Sequence, residues 1–312
     1  MLNWLLGSIV RSIFESGIFL MVSIGLTLTL AVVKLPNFAH AEFITIGAYT
    51  TLIVTQFLPN NLPFALIASF LISGLIAIVV HQLAYKPLIK RSSLYILVLA
   101  SFAVAQFLRY TVFILASIGG MLSAHPLINV VPVLYIAGQA LTNIYLLTLL
   151  LAILSAVFLS LFFKFTLTGK SMRAISSNQV LAQLSGINTE RAINVMWILA
   201  GGLAGVGGSM LSPYVTVTPA LGFNLLLEIF AVVIFGGLTS FIGTILGSLI
   251  MGFAENSLMD FLNIYFSVPY TYTPLIPFSL IIIVLLIKPT GFGLSYSVSR
   301  ALKQRLIRTQ SR

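Results

Sequence analysis

The stretch Thr142–Phe163 reads TNIYLLTLLLAILSAVFLSLFF, twenty-two residues without a charge. A helix needs about 20 apolar residues to cross the hydrocarbon core of a bilayer, so this stretch is read as a span. It belongs to a longer run, because no charged residue occurs between Arg109 and Lys164, and none between Glu42 and Lys86. Charged residues make up 7% of the 312, where a soluble domain carries roughly 25%. With a mean hydropathy of +1.10, the chain has too few charges to cover a water-facing surface. It is predicted to be an all-α polytopic membrane protein, one transmembrane domain across residues 1–312.

Working outward, the same criterion places spans at about 13–33, 42–57, 63–84, 94–116, 142–163, 191–211, 222–238, 240–260 and 268–288, eight to nine crossings in all. Pro36-Asn37, Leu58-Pro59-Asn60-Asn61 and Pro87 punctuate them. Gly236-Gly237 interrupts 222–260, which is either two crossings or a re-entrant hairpin. The first run has no small-residue cleavage site after a short apolar region, so it is expected to be an uncleaved span. The net charge of +10 comes from bases that flank the spans. Such bases mark cytoplasmic loops and form no nucleic-acid surface. Lys34; Lys86, Lys90 and Arg91; Lys164, Lys170 and Arg173 with Arg191; and Arg300, Lys303, Arg305, Arg308 and Arg312 all fall on one side of the alternation. This predicts a plasma-membrane protein with its N-terminus outside and its C-terminus inside.

Two loops are long. Residues 117–141 are expected outside, where Val130-Val131-Pro132-Val133-Leu134-Tyr135 reads as a short hairpin over the entrance. Residues 164–190 are expected inside, where Met172, Ile175, Val180, Leu181, Leu184 and Ile187 recur at helical spacing up to the stop at Gly186. The apolar face of that helix is covered either by the protein's own underside and lipid headgroups or by a groove on a partner.

A charge inside a span costs a few kcal/mol on the cheapest scale and usually faces a wet path or a bundle partner. Glu42, Glu228 and Arg109 fall in this class. They are either structurally paired, for instance Glu228 with Arg109, or they line a path. Glu15 has Arg11 four residues away for a local pair, and Glu255 and Asp260 are placed near an outer, solvated end. Asn37-Phe38-Ala39-His40-Ala41-Glu42 is the densest polar cluster in an apolar neighbourhood. Pro36 disfavours helix at Leu35, and the resulting break is either an exposed backbone for a polar solute or a turn capped by Asn37. The candidate path residues are therefore Asn37, His40, Glu42 and Glu228. Gly201 and Gly205, with Gly202, Gly207 and Gly208 beside them, and Gly243 and Gly247 read as helix-packing positions.

Thr168-Gly169-Lys170-Ser171 imitates the end of a phosphate-binding loop, but Lys164 stands where its first glycine belongs. ATP is not expected to bind this chain. His40 and Glu42 lack the spacing and third ligand of a metal site. With no Cys and no nucleophile–base set, neither a cofactor nor catalysis is expected.

At this point the sequence resembles the permease subunits of branched-chain amino acid ABC transporters, nearly end to end. The resemblance lies in Gly25-Leu26-Thr27-Leu28-Thr29-Leu30, in Asn37 through Phe43 with Gly47-Ala48-Tyr49, and in GKSMRAISSNQVLAQLSGIN at 169–188. It continues in Gly201-Gly202-Leu203-Ala204-Gly205, Phe235-Gly236-Gly237-Leu238 and Lys288-Pro289-Thr290-Gly291-Phe292-Gly293. The order resembles the first of the two permeases in such systems. The resemblance implies a second permease, two cytoplasmic ATP-binding subunits and an extracytoplasmic solute-binding protein that meets 117–141. It implies that 164–190 docks into the ATPase through Gly169, Met172, Arg173, Ala174, Asn178, Gly186 and Ile187. Related permeases carry urea or short amides, which stays an alternative to leucine, isoleucine and valine. Ala41 in place of the family's usual Gly, and Thr239-Ser240-Phe241 in place of a Gly-Ser-rich turn, fall near the presumed path. Outside the family, a stand-alone ion-coupled transporter using Glu42, Glu228 and Arg109 as a relay, or a membrane-embedded enzyme, are the competing classes.

Overall fold

The computed structural model describes residues 2–89, 92–136, 138–288 and 291. Lys90, Arg91, Pro289, Thr290, Phe292, Gly293 and the basic tail from Arg300 to Arg312 lie outside the described residues. Every one of the nine expected spans contains a helix. Helix α1 (Leu2–Val33) is followed by α2 (His40–Phe57), α3 (Leu62–Val80), α4 (Lys86–Ile89) and α5 (Leu94–Ile118). Strands β1 (Pro132–Ile136) and β2 (Gln139–Thr142) precede α6 (Asn143–Phe165), α7 (Leu167–Ser177), α8 (Gln179–Leu184) and α9 (Thr189–Leu211). The chain continues through α10 (Leu221–Asn224), α11 (Leu226–Gly236), α12 (Phe241–Phe253), α13 (Met259–Phe266) and α14 (Leu275–Ile287). Two π-turns, His81–Tyr85 and Ala254–Leu258, join α3 to α4 and α12 to α13 as continuous rods. Six described helices are long and apolar enough to cross a membrane.

The 222–260 segment resolves into unequal halves. Helix α11 has 11 residues, about 16 Å of rise against a hydrocarbon core of about 30 Å. The rod Phe241–Phe266 has 26, about 39 Å of rise and long enough to cross the full thickness. Gly237 ends α11 in the left-handed region at φ 91°. Its N–H bonds to the Ile234 carbonyl at 3.1 Å and that of Leu238 to Val233 at 2.8 Å, the pairing that closes a helix at a residue lacking Cβ. Ser240 then caps α12 by accepting from Gly243 N–H at 3.1 Å.

The centre of the molecule is α1, α2 and α9, and glycine sets its geometry. A Cβ at Gly208 would run into the Ile44 carbonyl, one at Gly47 into the Gly205 backbone, and one at Gly201 into Ala77 and the Ser73 carbonyl. A Cβ at Gly205 would meet Ser69 and Ser73, one at Gly243 the Gly236 carbonyl, and one at Gly247 the Val232 carbonyl. Small residues permit such backbone-to-backbone approach, and in lipid it is this packing that holds helices together. Hydroxyls reinforce it: Ser69 Oγ lies 2.7 Å from Ser209 Oγ and donates to the Gly47 carbonyl at 3.0 Å. By contrast α3, α5, α6 and α14 expose long apolar rows, including Leu71, Leu75, Phe107, Ile153 and Leu286.

The loops sort to two ends. At one end the Ser176 hydroxyl reaches the Ala31 carbonyl and Lys86 pairs with Glu190. This end holds Lys34, Lys164, Lys170 and Arg173. At the other, Asn60 N–H donates to the Leu127 carbonyl at 2.9 Å, and Ala124 pairs with Val217. The expected hairpin forms there, Pro132–Ile136 against Gln139–Thr142, with an irregularity between Pro132 and Leu134.

Candidate functional site

The break predicted beside Pro36 is present. Lys34 takes φ 60° and α2 begins only at His40. Asn37 holds the connection: its Oδ1 accepts from Ala39 N–H at 3.1 Å and from the Tyr85 hydroxyl at 2.8 Å. Tyr85 is placed by the first π-turn and stacks on Trp197 at 5.2 Å. His40 Nε2 donates to the Val22 carbonyl at 2.8 Å. The exposed-backbone alternative therefore does not describe this conformation, because Asn37, His40 and Glu42 are all at or below 1% exposure. Ala41 packs against Gly222, where a Cβ would strike the Ala41 carbonyl, and Gly222 N–H donates to Thr45 Oγ1 at 2.9 Å.

Arg109 pairs with Glu42 and not with Glu228. Its Nη2 and Nε both donate to Glu42 Oε1, at 2.7 and 3.1 Å, and its guanidinium lies 3.7 Å from the centre of the Phe223 ring. Glu42 Oε2 is buried without a hydrogen-bond partner. Beside Arg109 a groove of 310 Å³ runs along Tyr110, Phe113, Leu122, Thr218, Pro219 and Ala220.

Glu228 belongs to a second constellation, walled by α1, α11 and the second π-turn. It lines a cavity of 370 Å³ with Arg11, Glu15, Glu255, Tyr145 and Tyr214 among its walls. The local Arg11–Glu15 pair is replaced by cross-helix contacts. Arg11 reaches Asp260 at 2.5 Å, and Glu15 accepts from Asn256. Asp260 is buried rather than solvated, and accepts from Ser8 at 2.9 Å and from the Tyr270 hydroxyl at 2.7 Å. Ser12 Oγ lies 2.7 Å from Ser257 Oγ. The π-turn aims Glu255, Asn256 and Ser257 together at α1, an irregularity of the kind that recurs at functional positions. A signal for this seam was in the sequence: Ser8, Arg11, Ser12, Glu15 and Ser16 follow the three-and-four spacing of one helix face.

At the basic end, 164–190 forms two helices instead of one. Asn178 leaves the helical region and caps α8 by accepting from Leu181 N–H at 3.0 Å. Gly169 and Met172 are buried, so these two anchor α7 to the underside of the bundle, with Ile175 beside them. Ala174 and Ile187 are half-buried, while Arg173, Asn178 and Gly186 are exposed. Leu167 (81%), Leu184 (80%), Val180 and Leu181 are exposed as well. Both coverings considered for this helix thus have a face available, the underside taking Met172 and Ile175 and leaving a separate apolar row free.

Residues 8–285 match the family described as branched-chain amino acid transport system / permease component. The chain belongs to that family. It is 30% identical over 287 residues to the probable branched-chain amino acid transport permease protein LivH of Methanocaldococcus jannaschii, covering 90% of each. It is 25% identical to the high-affinity branched-chain amino acid transport system permease protein LivH of Escherichia coli, over 88% of this chain and 90% of the relative. Among solved structures it is similar to PsaBC from Streptococcus pneumoniae in complex with Fab, at 13% identity and TM-score 0.49, over 90% and 91% of the two chains. This is a multi-pass membrane protein of a transport family.

Proposed function

We propose that this chain is one of two membrane subunits of an ATP-driven importer for branched-chain or related small amino acids. The observation that carries the reading is the match to that permease family along residues 8–285, which takes in both polar constellations and the segment 164–190. ATP is bound and hydrolysed by two partner subunits at the basic end, which faces the cytoplasm. The N-terminus lies outside and the C-terminus inside. The exposed row Leu167, Val180, Leu181 and Leu184, with Arg173 beside it, docks into the ATPase; Gly169 and Met172 hold that row to the bundle. An extracytoplasmic binding protein delivers the solute at the end where 117–141 and 212–221 pair. The solute path includes Glu228 and its cavity. Asn37, His40 and Glu42 shape the path by bracing α2 against α1, α5 and the Tyr85 turn.

The test is uptake of labelled leucine by vesicles holding the chain, its partner permease, the ATPases and the binding protein. Uptake should require ATP and all subunits. Uptake by the chain alone under an ion gradient refutes the reading, and uptake of urea or acetamide in place of leucine moves the solute to amides. Arg173→Glu should lower both ATPase co-purification and transport. Normal values of both remove Arg173 from the docking surface.

A further inference from the structure

The cavity beside Glu228 has an unbalanced chemistry. Glu15, Glu228 and Glu255 all line it. Among the described residues the ion pairs are Arg11–Asp260, Lys86–Glu190 and Arg109–Glu42, so none of these three carboxyl groups has a cation of its own. Arg11, the one base in the wall, is already committed to Asp260. Glu255 Oε1 is buried with no hydrogen-bond partner. A second feature is independent of the acids. Phe14, Tyr145 and Tyr214 form a mutual aromatic cluster, with ring centres 3.7, 5.0 and 5.3 Å apart, and all three line the same cavity. Carboxyl groups set against aromatic rings in a partly desolvated pocket are a receptor for a positively charged nitrogen. Carboxylates supply the counter-charge and N–H acceptors, and the ring faces supply quadrupole attraction. At 370 Å³ the space is in the range of small-molecule sites.

We infer that this cavity receives the ammonium group of the solute in transit, with Glu228 and Glu255 as its principal acceptors. The inference rests on the importer reading for the identity of the solute. It adds a prediction about charge: the chain selects for the cationic nitrogen and leaves the carboxylate unrecognised here. Glu15, bonded by Asn256, is a positioning residue for this site.

The probe is isopentylammonium, which keeps the branched chain and the nitrogen and lacks the carboxylate. Binding of the radiolabelled amine to the immobilised full chain, purified with whatever subunits accompany it, should be saturable. Leucine should displace it; isocaproate and potassium chloride at equal concentration should not. Glu228→Gln and Glu255→Gln should each weaken it about tenfold or more, while Glu190→Gln at the opposite end leaves it unchanged. If one variant does not fold, the other decides. Absence of saturable binding to the wild-type chain overturns the inference, as does equal binding by the Gln variants or displacement by potassium. ATP-driven leucine uptake is measured alongside. Uptake that persists without amine binding sinks this site alone, and amine binding without ATP-driven uptake sinks the importer reading alone.

Discussion

Removing Arg109 should cost far more than removing its partner. Glu42 has a fully buried side chain, and among the described residues the hydrogen bonds to its carboxylate are the two from Arg109 at 2.7 and 3.1 Å. Arg109→Leu therefore strands an acid in the middle of the bundle with neither oxygen satisfied. Breaking a buried pair this way costs about 3–5 kcal/mol. Glu42→Leu strands a guanidinium that keeps the face of Phe223 at 3.7 Å and is 14% exposed. A long stem with its head near an edge can snorkel toward water, and the remaining cation–π contact retains about 1 kcal/mol. The expected cost is then about 1–2 kcal/mol. In Glu42→Leu/Arg109→Leu no charge is left to strand, and replacing a buried pair by apolar side chains is often close to neutral. The cycle should thus show a coupling of about 4 kcal/mol or more between the two positions. Equilibrium unfolding by sodium dodecyl sulfate in mixed micelles, followed by circular dichroism, measures all four corners. Equal costs for the two single variants, or a double variant at their sum, would refute the claim that burial asymmetry governs this pair.

Glycine contacts divide into two kinds that one experiment separates. Gly208→Ala forces a Cβ into the Ile44 carbonyl and is expected to abolish accumulation of folded protein. Gly186→Ala, at φ 78° with no atom within 4 Å of the added carbon, should cost only about 1 kcal/mol of local backbone strain, with yield on size exclusion as the readout. The natural chain has no Cys, so Ser12→Cys/Ser257→Cys, built on hydroxyls 2.7 Å apart, should cross-link α1 to the second π-turn under mild oxidant. Uptake should then fall and recover on reduction; failure to cross-link would mean that this seam is not closed in the membrane.

Much of the fold was legible because lipid leaves few options. With every backbone group satisfied inside its own segment, long apolar runs have to be helices, and each of the nine read from composition contains one, six of the described helices being long and apolar enough to cross. Turn residues placed their ends, as at Pro36 and Gly237. What composition left open in 222–260 was length. Two crossings and a hairpin share one hydropathy profile, and only the closure of α11 after 11 residues separates a half-length helix from the full rod that follows.

Side-chain partners were legible only where they are local. Asn37 bonds two residues on to Ala39 N–H, an Asx turn that Asn beside Pro suggests by itself. Arg11 and Glu15 looked equally local at four residues apart, yet each prefers a distant partner, Asp260 at 249 residues and Asn256 at 241. The physical reason is competition. An exposed i,i+4 pair is worth only about 0.3–0.5 kcal/mol, and a buried acid such as Asp260 gains more from a cross-helix cation than Glu15 gains from a neighbour. Which acid wins depends on the rotation of α12–α13 about its axis, and that rotation is set by the π-turn at Ala254–Leu258. A single extra residue in that turn carries Glu255, Asn256 and Ser257 toward α1 together, and no periodicity within either helix encodes it. Glu228 was found from its own cost in the membrane. The acids that share its cavity were not, because their meeting is a property of the packed helices rather than of any one of them.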